Sequence, residues 1–192
     1  RGKMASNQQD SKKRKAEDNS KKKFFEKPRS CTISVAIPGS VASQNSRELR
    51  TFICGQIARS CSVFCIDEVI VYDDEVGKSN GSSKFDATTF LARNLQYSET
   101  PIYLRRSLIP QHNDLQFSAM NPSLESPHHV RINDFTPYRE GIILKKPPGT
   151  RPNNSGIGSF VDIGLKTPCL IDRILPADTR VTVKVNNYNK MG

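Results

Sequence analysis

Three pairs of chemically capable side chains crowd the stretch from Pro101 to Arg131: Arg105 with Arg106, His112 two residues from Asp114, and His128 beside His129. A guanidinium fork matches phosphate through two donors and keeps its charge when partly desolvated. Phosphate contact by Arg105 and Arg106 therefore weighs ahead of a surface pair, or of partners for the Asp73-Asp74 carboxylates. His112 with Asp114 has the makings of a general-base pair. A histidine and a carboxylate two apart in a loop more often make local hydrogen bonds, and that reading is the heavier one. His128 and His129 could ligate a metal, yet adjacent histidines point differently and no further ligand cluster is visible, so a structural role at a junction is expected and metal is not. About thirty residues of weakly periodic chain persist in a compact fold when they cover a site or join two domains.

A second basic set follows: Lys145, Lys146, Arg151, Lys166, Arg180 and Lys184. Small barrels grip single-stranded nucleic acid with cations and stacking aromatics. Here Phe135, Tyr138, Phe160 and Tyr188 are the aromatics near those cations, and the chain has no tryptophan. Phe160, in an alternating strand, reads as core rather than platform. The RNA-contact candidates are Arg105, Arg106, Arg131, Lys145, Lys146, Arg151 and Lys184. Gly156-x-Gly158 opens no helix and is not a dinucleotide loop.

The 192 residues carry a net charge of +10, distributed unevenly. Residues 1–30 hold eleven Lys or Arg against four Asp or Glu, a net +7, whereas the remainder is only +3. Net charge alone thus says little about nucleic acid. Residues 1–30 read as a disordered basic tail. Its clusters Lys12-Lys13-Arg14-Lys15 and Lys21-Lys22-Lys23 read as a nuclear import signal, against the plainer alternative of a solvated charged tail. Five cysteines, Cys31, Cys54, Cys61, Cys65 and Cys169, make an odd set that argues for reduced thiols, and Cys61-x-x-x-Cys65 reads as packing rather than half a zinc site. No apolar run approaches the roughly twenty residues that span a bilayer, so no membrane partner is expected.

The elements that must position these side chains are legible. Thr32 to Ile37 alternates as a strand, ended by Pro38-Gly39-Ser40. Asn45 offers a helix cap with Glu48 closing a capping box. Leu49, Phe52, Ile53, Ile57, Cys61 and Phe64 then form the apolar stripe of a helix of about five turns, and Val69 to Tyr72 reads as a buried parallel strand. Glu75 to Lys84 is a loop, and Asp86 caps a second helix carrying Phe90, Leu91 and Leu95 that Pro101 ends. Arg93 is expected on its solvated face. Beyond Arg131 come short strands at 140–144, 158–164, 169–171 and 180–185. In the last, Val181, Val183 and Val185 face one way, and a small barrel or curled sheet is expected, with Pro147 to Gly158 as a mobile loop on it. The expected division is a tail at 1–30, an α/β part at 31–131 with a junction at 101–131, and a β-domain at 132–192.

Several ordered blocks resemble a known family. They are Ser34-Val35-Ala36-Ile37-Pro38-Gly39-Ser40, Glu48-Leu49-Arg50-Thr51 with Gly55-Gln56-Ile57-Ala58-Arg59, Pro101-x-Tyr103-Leu104-Arg105-Arg106, His112-x-Asp114-Leu115-Gln116-Phe117, Ser126-Pro127-His128-His129, Arg139-Glu140-Gly141 and Gly158-Ser159-Phe160-Val161. Together they are similar to SPOUT-class RNA methyltransferases, in the eukaryotic and archaeal subgroup with an inserted OB-like domain. The resemblance implies a knotted α/β fold, S-adenosylmethionine as methyl donor, RNA as substrate and a homodimer. It also implies a nuclear setting, since the subgroup includes a protein of centromeres and spindle poles, and metal-free methyl transfer. In that family the knot follows the insert. Here the chain stops at Met191-Gly192, so it reads as a fragment: the residues that hold the donor are expected outside it, no residue is assigned to catalysis, and this chain alone is expected to be inactive. The rival reading is a non-catalytic nuclear adaptor for RNA or a centromeric partner, and a third is a partial product unable to fold.

Overall fold

A computed structural model describes residues 29–74, 85–150 and 157–185. Strand β1 (Ser34–Pro38) runs into a short 3-10 turn at Gly39–Ala42, and helix α1 (Arg47–Val63) then crosses back to strand β2 (Glu68–Tyr72). The two strands pair in parallel, with Val35 opposite Val69 and Ile37 opposite Val71. This is the expected β-α-β unit. The helix cap lies one residue later than expected: Ser46, not Asn45, accepts the Leu49 backbone N–H, and the Ser46 hydroxyl also donates to Glu48 at 2.6 Å.

Helix α2 (Ala87–Glu99) follows, and the Asp86 carboxylate accepts from Thr88 N at 3.0 Å and Thr89 N at 3.2 Å, as its sequence signal predicts. Cys54, Phe90 and Leu91 pack with Ala42 and with Ile37, Ile57 and Val71, so both helices lie on one face of the β1–β2 pair. That arrangement corrects two expectations. The opposite strand face keeps Ile70 and Tyr72 about half exposed, so β2 is covered on one side only among the described residues. The expected apolar stripe of α1 is also only partly buried, with Ile57 packed on the core and Ile53 and Cys61 half-buried. Thr51, Cys54, Gly55 and Ala58 are buried, while Leu49, Phe52 and Phe64 are exposed. Small residues let neighbouring chain approach: a Cβ on Gly55 would sit 2.5 Å from the Asn121 side chain, which donates to Thr51 O at 2.9 Å.

Helix α3 (Ile102–Leu108) begins directly after Pro101, in a stretch whose sequence is only weakly periodic. Seven residues give two turns, too few for periodicity to show, and fully buried Leu104 anchors them. The chain from Asn113 to His128 then folds back over α1 and α2 as a strap. Arg59 donates to Leu124 O at 2.7 Å, Ser62 and Ser126 hydroxyls meet at 3.0 Å, and buried Asn94 donates to Asp114 O and accepts from the Ser118 hydroxyl.

The second half is antiparallel. Strands β3 (Tyr138–Ile143), β4 (Gly149–Thr150), β5 (Ile157–Gly158), β6 (Phe160–Asp162), β7 (Cys169–Leu170) and β8 (Arg180–Lys184) form a four-stranded sheet in the order β7-β6-β3-β8 and a separate β4-β5 pair. Ile143, Val161, Ile163, Cys169, Val183 and Val185 make its core, so the valine alternation at 181–185 points as expected. Among the described residues this sheet is open rather than a closed barrel, since strands of two to six residues leave β7 and β8 as edges. The ends of the Pro147–Gly158 loop pair as β4 and β5. The fold is mixed α/β. Of the cysteines, Cys54 and Cys169 are buried while Cys31 and Cys65 are exposed, and burial pushes the Cys54 thiol up to about 12.

Candidate nucleic-acid interface

The carboxyl end of α2 leaves carbonyl groups without helical partners. Basic side chains from the 101–131 stretch satisfy them. Arg105 Nε donates to Thr100 O at 3.0 Å and its Nη2 to Ser98 O at 3.4 Å, while its guanidinium lies 4.4 Å from the Tyr97 ring centre. His128 and His129 both direct Nε2 at Glu99 O, at 2.9 and 2.6 Å. Positive groups here also suit the negative end of the helix dipole. Three of the residues picked out by type thus cap a helix. Arg105 keeps part of its surface open, whereas the histidines serve the junction as expected.

Around that cap a four-residue network ties the halves together. Arg180 on β8 donates to both Glu99 carboxylate oxygens, at 2.9 and 2.7 Å, and to Glu140 on β3. His128 Nε2 lies 3.2 Å from Glu99 Oε1. Burial alone raises the Glu99 carboxyl, but hydrogen bonds from His128 and Arg180 outweigh it and hold the group at about 2. The hydrogen bond to Glu99 lifts His128 above the usual imidazole range, while burial pushes His129 below it, and its Nδ1 finds no partner among the described residues. Glu99, His128 and Glu140 offer ligand atoms within 4.8 Å of one another. The Arg180 guanidinium donates to both of these carboxylates. Close by, the Tyr103 hydroxyl donates to Glu140 O at 2.8 Å, and Gly164, at φ +74°, lies where a Cβ would be 2.6 Å from the Tyr103 ring.

Arg106 behaves differently from Arg105. It is exposed, and no hydrogen bond or ion pair holds its guanidinium among the described residues. It lines a groove of about 1120 Å³ between α3 and the chain that follows, with Tyr97, Arg105, Gln111, His112, Asn113 and Gln116. Among the described residues no carboxylate lines this groove. Asp114, the nearest in sequence, is bound by Arg93, which also donates to His112 Nδ1 at 3.2 Å. Arg93 is therefore an ion-pair partner, not a solvated side chain. His112 Nδ1 also lies 3.2 Å from the Asp114 backbone N and 3.1 Å from Asp114 Oδ2. The local hydrogen bonds expected of His112 and Asp114 are present.

The described cations of the β-half sit in different settings. Lys145 pairs with Asp178 at 2.9 Å, both well exposed, while Lys146 and Lys184 are exposed and Arg180 is held in the junction. Arg131 is exposed, and its backbone N–H donates to Asp134. Phe160 packs against Gly149, where a Cβ would be 2.6 Å from its ring, so it is no open stacking platform. Arg151, Tyr188 and the lysine clusters at 12–15 and 21–23 lie outside the described residues, as does the Glu75–Lys84 loop. Type and spacing missed Arg139, which is 1% exposed. Its guanidinium donates to Ile163 O at 3.1 Å, Asp134 O at 3.1 Å and Arg131 O at 3.0 Å.

Comparison with known proteins adds a family. Residues 32–191 match the model of a family described as "Putative RNA methyltransferase". The chain is 43% identical over 188 residues to the human 28S rRNA (uridine-N(3))-methyltransferase, covering 93% of this chain and 49% of that protein. The mouse protein of the same name is 43% identical over 164 residues, covering 81% and 41%. The Drosophila melanogaster protein of that name is 36% identical over 177 residues, covering 83% and 35%. The chain spans about half the length of the human relative and less of the other two.

Proposed function

The chain belongs to the RNA methyltransferase family, and from that membership we propose that the protein methylates N3 of a uridine in large-subunit ribosomal RNA. The observation that carries this is the 43% identity over 93% of the chain to a human protein with that activity in its name. The adaptor reading is not favoured, because the human, mouse and fly relatives all carry methyltransferase names.

The family implies S-adenosylmethionine as donor. The cavity of about 570 Å³ between α1, β2 and α2 is a poor fit for it. Its carboxylates are engaged, Asp67 by Arg29 and the Ile33 N–H, Glu99 by Arg180 and His128. Most of the rest of its wall is apolar, with Ala58, Val69, Val71 and Leu95 prominent. The described residues therefore leave the donor site unassigned, and no catalytic step is derived through it.

Within this reading the α/β part at 31–131 belongs to a SPOUT-type domain and residues 132–192 to an OB-like insert. The parallel β1-α1-β2 unit and the antiparallel sheet support that division. Arg106 and Arg131 are exposed candidates for RNA in the first part and Lys146 and Lys184 in the second; Lys145, paired with Asp178, and Arg151, outside the described residues, complete the proposed set. A homodimer, a nuclear location served by the lysine clusters at 12–15 and 21–23, and centromere or spindle association complete the proposal by family resemblance.

The test is transfer of labelled methyl groups by the purified full-length protein to large-subunit rRNA, with the modified nucleoside identified by mass spectrometry. Label in 3-methyluridine is expected. Label only in another nucleoside, or none in RNA, contradicts the proposal.

A further inference from the structure

The groove beside α3 combines several features of a site for an anion. Its lining holds two guanidinium groups and no carboxylate, so it favours an anion. The two arginines are not equivalent: Arg105 is held by the Ser98 and Thr100 carbonyls, while Arg106 has its full set of donors available. Beside them stand three carboxamides, Gln111, Asn113 and Gln116, each offering a paired donor and acceptor. His112 adds an imidazole to the wall, its ring oriented by Nδ1 contacts to Arg93 and the Asp114 backbone. Arg93 also pairs with Asp114, the carboxylate between groove residues Asn113 and Leu115. At about 1120 Å³ the groove exceeds the roughly 300–1,000 Å³ of pockets that enclose one small molecule.

We infer that this groove is a subsite for single-stranded RNA, with a phosphodiester on Arg106 and base edges read by the carboxamides of Gln111, Asn113 and Gln116. Arg105 supplies a fixed positive charge at the groove wall. Unpaired bases are required because side chains of this length reach Watson–Crick edges only where bases are splayed from a helix. The inference rests on the RNA reading above and narrows it: sequence-selective grip lies on the α/β half, not on the scattered lysines of the β-sheet.

Fluorescence anisotropy of the full-length protein with short labelled single-stranded oligonucleotides tests it. Arg106→Ala is expected to weaken binding about five- to tenfold and to make the slope of log K against log salt shallower by about 0.7, the share of one phosphate on a single strand. Arg106→Lys keeps the charge and lacks the fork, so it should restore the slope but only part of the affinity. Gln111→Ala with Gln116→Ala should alter the ranking of uridine-, cytidine- and adenosine-rich strands while leaving the slope unchanged. Arg173→Ala, which removes an exposed charge from the β-half, sets the baseline. If wild type binds and Arg106→Ala does no more than Arg173→Ala, the groove assignment fails while the RNA reading stands. If duplex binds as well as single strand, or equimolar inorganic phosphate displaces the strand, the assignment to single-stranded RNA is overturned. If wild type binds no RNA, this inference falls, whereas the methylation proposal is decided by its own assay.

Discussion

Arg139 shows how far a residue's type can be from its role. It opens a block of family resemblance, yet its side chain is buried, with three backbone carbonyls as partners and its guanidinium 5.9 Å from the Tyr103 ring centre. Nothing in local spacing marks such an arginine, because the carbonyls it serves come from residues 131, 134 and 163. Arg139→Met removes the charge and leaves those carbonyls unsatisfied, a loss of about 2–4 kcal/mol. At about 2–4 °C per kcal/mol for a chain of this size, thermal melting should shift down by roughly 5–15 °C. The junction pair titrates in opposite senses. Glu99 is held below its ordinary 4.5, at about 2, so its contribution is present above pH 4.5 and is lost as pH falls towards 2. His128 is raised above 6.5, so its contribution is complete below that pH and is lost as pH climbs through the raised value. In melts across pH, Glu99→Gln should flatten the acid limb and His128→Asn the limb above pH 6.5. Unchanged limbs would remove the network from the stability account.

Elements with long or strict patterns were readable, and those built by tertiary contact were not. Asp86 and Pro101 bracket α2 because capping and proline chemistry are local. The β1-α1-β2 unit was readable for the same reason. The buried face of α1 was only partly so: Cys54 and Ile57 pack with α2 and the strand pair, but the strap claims a further side, where Asn121 needs the missing side chain of Gly55. Helix α3 escaped because two turns carry no period. The β-half shows the same limit, since alternation marks strands but not closure. Its tightest point is Gly158, where a Cβ would lie 1.8 Å from Ile171 O, a backbone atom that cannot swing aside. Gly158→Ala should lower stability by about 1–3 kcal/mol in urea titration, and full wild-type stability would show that the β5–β7 region yields more readily than its geometry implies.

At the scale of the molecule, the junction decides whether the halves act together. Arg180 on β8 reaches Glu99 on α2 and Glu140 on β3, and Tyr103 on α3 bonds β3 directly. The sequence placed a junction at 101–131 and its histidines in a structural role. It could not show that Arg180, one of several scattered cations, would be the clamp rather than an RNA contact. Arg180→Met leaves two carboxylates facing each other beside His128. It should broaden thermal unfolding, with the α/β and β halves melting apart, whereas a single sharp transition at the wild-type temperature would assign the coupling to Tyr103 and Arg139. Methylation of RNA is the claim that all of this serves. Disrupting the gene for this protein and quantifying 3-methyluridine in large-subunit rRNA by mass spectrometry tests it most directly. Loss of the nucleoside, restored by re-expression, is the predicted result, and an unchanged level in the disrupted cells would contradict it.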